Sequence, residues 1–185
     1  MSCGTLTQAV TLSCTDRIIG GIDQDVWLFN YDQFKIATVT IDGSNAYSIT
    51  AISGVSSFKI EQPGHGNVTS TQDAVYENAI PRYKHVVGFT VALGTPAATK
   101  TVDTLVHGLY VAAFISKNGQ IMFAGVDAGL RVTPQSIRDF NANASSWTIQ
   151  LSSEDTSLES KPQLHFIGSD GTFATAKTEF LALED

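Results

Sequence analysis

The sequence predicts a mainly β fold, a β-sandwich or half-barrel carrying one principal α-helix. Three observations carry this: short apolar runs separated by turn residues, one stretch with strict two-residue alternation, and one segment with helical periodicity. The first runs are Val26 to Tyr31, Lys35 to Ile41, Tyr47 to Ile52 and Phe58 to Gln62. Gly43-Ser44-Asn45 and Ser53-Gly54 punctuate them as turns. In Arg82 to Leu93, the residues Tyr83, His85, Val87, Phe89, Val91 and Leu93 share one face, with Arg82, Lys84 and Thr90 on the other. That pattern predicts a strand with one buried side.

The helix follows. Thr95 fits an N-cap and Pro96 the first helical position, where its missing N–H leaves no bond unmade. Ala98, Val102, Leu105, Val106 and Leu109 recur at helical spacing, and Gly108 is placed to end the helix. Next, Leu109 to Ser116 and Gln120 to Val126 flank Lys117-Asn118-Gly119. Asn-Gly between apolar runs predicts a hairpin, because both residues tolerate positive φ. The run from Tyr110 to Ile115 is apolar on both faces and is placed centrally in a sheet. Thr133-Pro134 predicts a second, shorter helical turn around Ile137 and Phe140. Trp147, Ile149 and Leu151 alternate with Thr148 and Gln150 as a half-buried strand. Leu164 to Ile167 and Phe173 to Leu183 close the chain, the latter readable as strand or helix.

The stretch from Gln62 to Pro81 stands apart, with Pro63, Gly64, Gly66 and Pro81 among many polar residues. A segment of that length without its own pattern is uncommon in a compact domain and is often functional. It reads as a long loop or hairpin arm, or equally as a mobile insertion. No internal repeat or low-complexity tract divides the chain, so 1–185 reads as a single domain.

The totals narrow the function. Charged residues are 16% of the chain against a usual ~25%, a mild signal for a subunit that buries surface in an assembly. The formal charge is −7 and the basic residues never cluster, which excludes the electrostatic footprint of a nucleic-acid binder. No apolar run approaches the ~18 residues of a membrane span, and no signal peptide is evident, so a cytoplasmic site of synthesis is expected. Cys3 and Cys14 are expected to be reduced, and no histidine lies at metal-ligand spacing from either.

No motif carries catalytic chemistry. The histidines at 65, 85, 107 and 165 are isolated, and His85 reads as a packed residue. No nucleophile elbow, zinc-protease helix, phosphate loop or dinucleotide fingerprint is present. Asp23, Asp25 and Asp32 do not match calcium-loop spacing. Glu154, Asp155 and Glu159 read as an exposed acidic loop. The expectation is a non-enzyme with no cofactor and no metal.

A mainly β domain with one helix, a long polar loop and an acidic balance together resemble the tail tube proteins of tailed bacteriophages. The opening Cys3-Gly4, Cys14, Gly20-Gly21-Ile22 and Asn30-Tyr31-Asp32 is similar to the start of structural proteins from tailed phages of Bacteroidetes. The resemblance implies a homo-oligomer of stacked, typically hexameric rings, forming the virion tail tube through which DNA is ejected. Its partners would be itself and other tail or connector proteins, with assembly in the host cytoplasm and DNA passing without specific binding. On this reading Gln62, His65, Asn67, Asp73, Tyr76 and Glu77 are candidate inter-ring contacts. Asp73, Glu77, Glu154 and Asp155 are candidate lumen or interface acids. Competing readings are a head–tail connector, tail terminator or capsid decoration protein, and a non-viral β-sandwich adhesin.

Overall fold

A computed structural model describes residues 21–42, 47–62, 68–77, 80–91, 96–134, 137–138 and 146–184. The chain runs β1 (Ile22–Asn30), α1 (Tyr31–Ile36), β2 (Thr38–Ile41), β3 (Ser48–Ser53), β4 (Phe58–Ile60), β5 (Thr69–Glu77) and β6 (Ile80–Val91). It continues with α2 (Pro96–His107), β7 (Tyr110–Ser116), β8 (Ile121–Ala124), β9 (Arg131–Val132), β10 (Ile137–Arg138), β11 (Trp147–Ser152), β12 (Leu164–Phe166) and α3 (Phe173–Leu181). The fold is mainly β, as the runs and alternation predict.

Two sheets form. The larger has the order β2-β3-β12-β8-β7-β1-β4, antiparallel except for the β12–β3 pair. The smaller has the order β10-β11-β6-β5, with β9 also on β11, and is antiparallel throughout the described pairs. Alternation sends neighbouring residues of the larger sheet into two separate cores. Val26 and Leu28 of β1, with Ala112 and Phe114 of β7, meet Val87, Phe89 and Val91 of β6 and Ile149 and Leu151 of β11 between the sheets. Trp27 and Phe29, with Val111, Ala113 and Ile115, form the second core on the opposite face. β7 is therefore apolar on both faces because both are covered, in keeping with its central placement.

The second core is closed by α1 and α3. Phe180 of α3 is fully buried, with ring centroids 5.1 Å from Trp27 and 5.8 Å from Phe123. Thr172 caps α3, its hydroxyl accepting from the Thr175 N–H. Beyond α3 the chain bonds back to the larger sheet's edge region, where the Ser57 N–H donates to the Leu183 carbonyl at 2.7 Å. α2 forms where its spacing predicts and buries Val102 and Leu105, but Val106 of the expected stripe is exposed and Leu109 lies past the helix, which ends at His107 before Gly108. A Cβ at Gly108 would lie 1.9 Å from the Tyr110 hydroxyl, so the close approach requires glycine. Gly119 in the β7–β8 hairpin has φ +83°, the conformation Asn-Gly was expected to supply.

Two local expectations are corrected and one open alternative is resolved. The first part of Lys35 to Ile41 is not strand: Tyr31–Ile36 is a helix that buries Tyr31 and Phe34 three positions apart, and β2 starts only at Thr38. The turn around Ile137 is not helical, since Ile137 and Arg138 pair with Thr148 and Trp147 as β10; Phe140 lies outside the described residues. Phe173 to Leu183 resolves as helix through Leu181, with Ala176 and Phe180 at four-residue spacing inside. Thr95, Leu93, Cys3 and Cys14 lie outside the described residues.

Candidate assembly surface

The polar stretch after Gln62 takes a hairpin form through most of its length. β5 pairs with β6 in one uninterrupted register, from Thr69 opposite Gly88 to Glu77 opposite Ile80. β6 also pairs with β11, but only from Val86 to Val91. From His85 back to Ile80 it has left β11, and the arm extends past the body of the smaller sheet. β5 is that sheet's edge strand, and 71–76 are all exposed.

Segment 153–163 laces the root of the arm to the body. The Ser153 N–H donates to the His85 carbonyl at 3.0 Å, and Tyr83 and Glu159 exchange two backbone hydrogen bonds at 2.9 Å. Gln163 donates its N–H to the Gln72 side-chain oxygen at 2.7 Å and its amide to the Ser70 hydroxyl at 2.8 Å. The Lys84 ammonium pairs with Asp155 at 2.7 Å. Past these ties the arm presents apolar residues to solvent. Tyr76 is 77% exposed and Ile80 57%, with Val75 beside them.

The residues proposed from sequence separate into distinct roles. Gln62 is buried: its amide oxygen accepts from the Thr90 N–H at 2.7 Å and its amide donates to the Ile60 carbonyl at 3.3 Å. It thereby joins the two sheets within one subunit. Asp73 and Tyr76 lie exposed on β5, and Glu77 ends that strand opposite Ile80. His65 and Asn67 lie outside the described residues. Glu154 accepts from the Arg131 guanidinium at 2.9 Å, and Asp155 is held by Lys84, itself the cross-strand partner of Asp73. The fold sets Asp155 against Lys84 and Glu154 against Arg131. Exposed pairs of this kind contribute roughly 0–1 kcal/mol, but they cancel local charge, so Glu154 and Asp155 add little repulsive field.

Glu159 is a correction. It is 1% exposed, not part of a solvated acidic loop. Its carboxylate accepts from the Asp127 N–H at 2.7 Å and the Ala128 N–H at 3.0 Å. Burial pushes this carboxyl up to about 7, with nearby Asp127 adding to the rise and the backbone bonds opposing it. His85, also buried, accepts from the Gly125 N–H at its Nδ1, 3.2 Å away, and burial brings it down to about 4. The loop these groups hold is further fixed by the Tyr31 hydroxyl, which donates to the Asp127 carbonyl, and by Ser160, which donates to the Asp127 carboxylate. Burial also raises the Tyr31 phenol. His85 and Glu159 are both closed to solvent, and their bonds to the Gly125, Asp127 and Ala128 N–H groups fix the loop. Sequence offered only one hint of it, the glycines flanking 126–128, which allow backbone N–H groups to converge.

Among the described residues no group of three or more His, Cys, Asp or Glu side chains is placed to hold a metal, and no helix is long and apolar enough to cross a membrane. No protein-family model matches the chain, and neither a curated protein nor a solved structure matches it.

Proposed function

We propose that the chain is a structural subunit that self-associates, and that its assembly is the tail tube of a tailed bacteriophage, the conduit for DNA ejection. The observation that carries the self-association reading is the β5–β6 arm. It is a regular hairpin, tied at its root, that carries Val75, Tyr76 and Ile80 into solvent, where an isolated monomer gains nothing from them. The outer edge of β5, the edge strand of the smaller sheet, is likewise a joining surface once a neighbour covers it. The specific assignment to a tail tube rests on the sequence resemblance and on the sandwich-plus-helix architecture, which suits a ring subunit. A lining of paired charges and small polar side chains would let DNA pass without adhesion. A connector, terminator or decoration protein is the nearest competing role, and a non-viral adhesin the more distant one.

Size-exclusion chromatography with light scattering over a concentration series tests self-association. The expected result is a concentration-dependent species of ring size or larger. A mass fixed at one subunit throughout the series rejects the proposal.

A further inference from the structure

The arm tip has a counterpart on the same subunit, at the other end of the same strand. Val102 and Val106 of α2, Val132 of β9, Pro134, and Trp147 and Ile149 of β11 line an apolar groove of about 320 Å³. Val106 is 53% exposed there. Trp147 pairs with Val91, the last residue of β6, whereas the arm tip surrounds Ile80, the first. At about 3.3 Å per residue, the twelve residues of β6 separate the two surfaces by roughly 36 Å. No bending of one subunit brings them together.

Charge is complementary as well. The chain has 11 basic residues against 18 acidic ones, so repulsion between copies is relieved where a cation meets an acid. Lys84 and Arg131 are engaged by Asp155 and Glu154, but among the described residues Arg82, beside Val75 at the tip, makes no ion pair. On α2, Asp103 follows the groove residue Val102 and is 77% exposed, its nearest basic neighbour being the His107 ring at 3.9 Å.

We propose that the arm tip of one copy seats in the groove between α2 and β11 of the next copy, with Arg82 of the first facing Asp103 of the second. The proposal rests on the self-association reading and specifies its geometry. Repeated between copies in the same orientation, a tip and a groove at opposite ends of one strand make a head-to-tail contact that propagates along the strand direction. Val75 and Ile80, on the same face of the ribbon as Arg82, supply the apolar anchor, and the charge pair sets the register.

The test is a charge exchange read as the critical concentration for assembly, by light scattering. Arg82→Glu and Asp103→Arg alone should each raise it about 10-fold or more, since each places like charges together. The double variant restores opposite charges at every contact and should return to within about 3-fold of wild type. Ile80→Ser should raise it with no rescue from the exchanged pair. All these side chains are at the surface, so circular dichroism should report an unchanged fold. Single variants that assemble like wild type, or a double variant no better than either single, overturn the docking mode while leaving self-association standing. A wild-type chain that never assembles overturns both.

Discussion

His85 and Glu159 grip the same loop from different elements: the Gly125 N–H donates to His85 Nδ1 at 3.2 Å, and the Asp127 N–H donates to the Glu159 carboxylate at 2.7 Å. His85 belongs to the strand that forms the arm, and Glu159 to the segment that laces the arm's root. The loop between β8 and β9 thus ties the larger sheet to the base of the arm, and two buried titratable groups set that tie.

These groups move stability in opposite directions with pH. Burial lowers His85 from 6.5 to about 4, so its contribution is present above pH 6.5 and is lost as pH falls toward 4. Glu159 is raised from 4.5 to about 7, so its contribution is present below pH 4.5 and is lost as pH rises toward 7. Between pH 4.5 and 6.5 the slopes oppose each other, and wild-type stability should be nearly flat. Glu159→Gln removes one slope and leaves stability rising with pH by about 3 kcal/mol over the His85 window. Urea midpoints across that range read the difference directly, and a variant as flat as wild type would contradict the assignment.

Gln62→Ala should cost about 1–2 kcal/mol, because the Thr90 N–H loses its acceptor at the junction of the two sheets. Denaturant unfolding measures this. A neutral substitution would mean that water replaces the amide without loss.

Phe180→Ala should cost about 3–5 kcal/mol, since the ring is fully buried against Trp27, Phe29, Phe123 and Phe166. Loss of near-ultraviolet circular dichroism from Trp27 should accompany it, as α3 loosens from the second core. A cost under ~1 kcal/mol would argue that α3 does not close that core.

Much of the architecture is legible in the sequence wherever one physical cause dominates. The alternation from Tyr83 to Val91 is clear because one face of β6 meets the inter-sheet core, and β7 reads as central because both of its faces are covered. α1 is obscured because Tyr31 and Phe34 continue the apolar run of β1 across its N-cap Asn30, with no glycine or proline to break it. Ile36, 85% exposed, adds an apolar signal that no core explains. β5 shows no alternation because neither of its faces is buried from Thr71 to Tyr76, so nothing selects one. Thr133-Pro134 mimics a helix start, but pairing with β11 decides the outcome nearby. Glu159 is invisible to local reading, since its burial depends on N–H groups some thirty residues earlier in the chain.

The central claim is that the arm drives assembly without being needed for the fold, and electron microscopy of an arm-trimmed variant tests it most directly. Replacing 75–82 by Asn-Gly joins Ala74 to Tyr83, which are already cross-strand partners, through a two-residue hairpin loop. The ties from Gln163 and Glu159 remain, so stability should stay within about 0.5 kcal/mol of wild type. Negative-stain images at matched concentration should show hollow rings stacked into tubes for wild type and none of those tubes for the trimmed chain. Tubes from the trimmed chain equal to those of wild type, or only single subunits from wild type, would contradict the account.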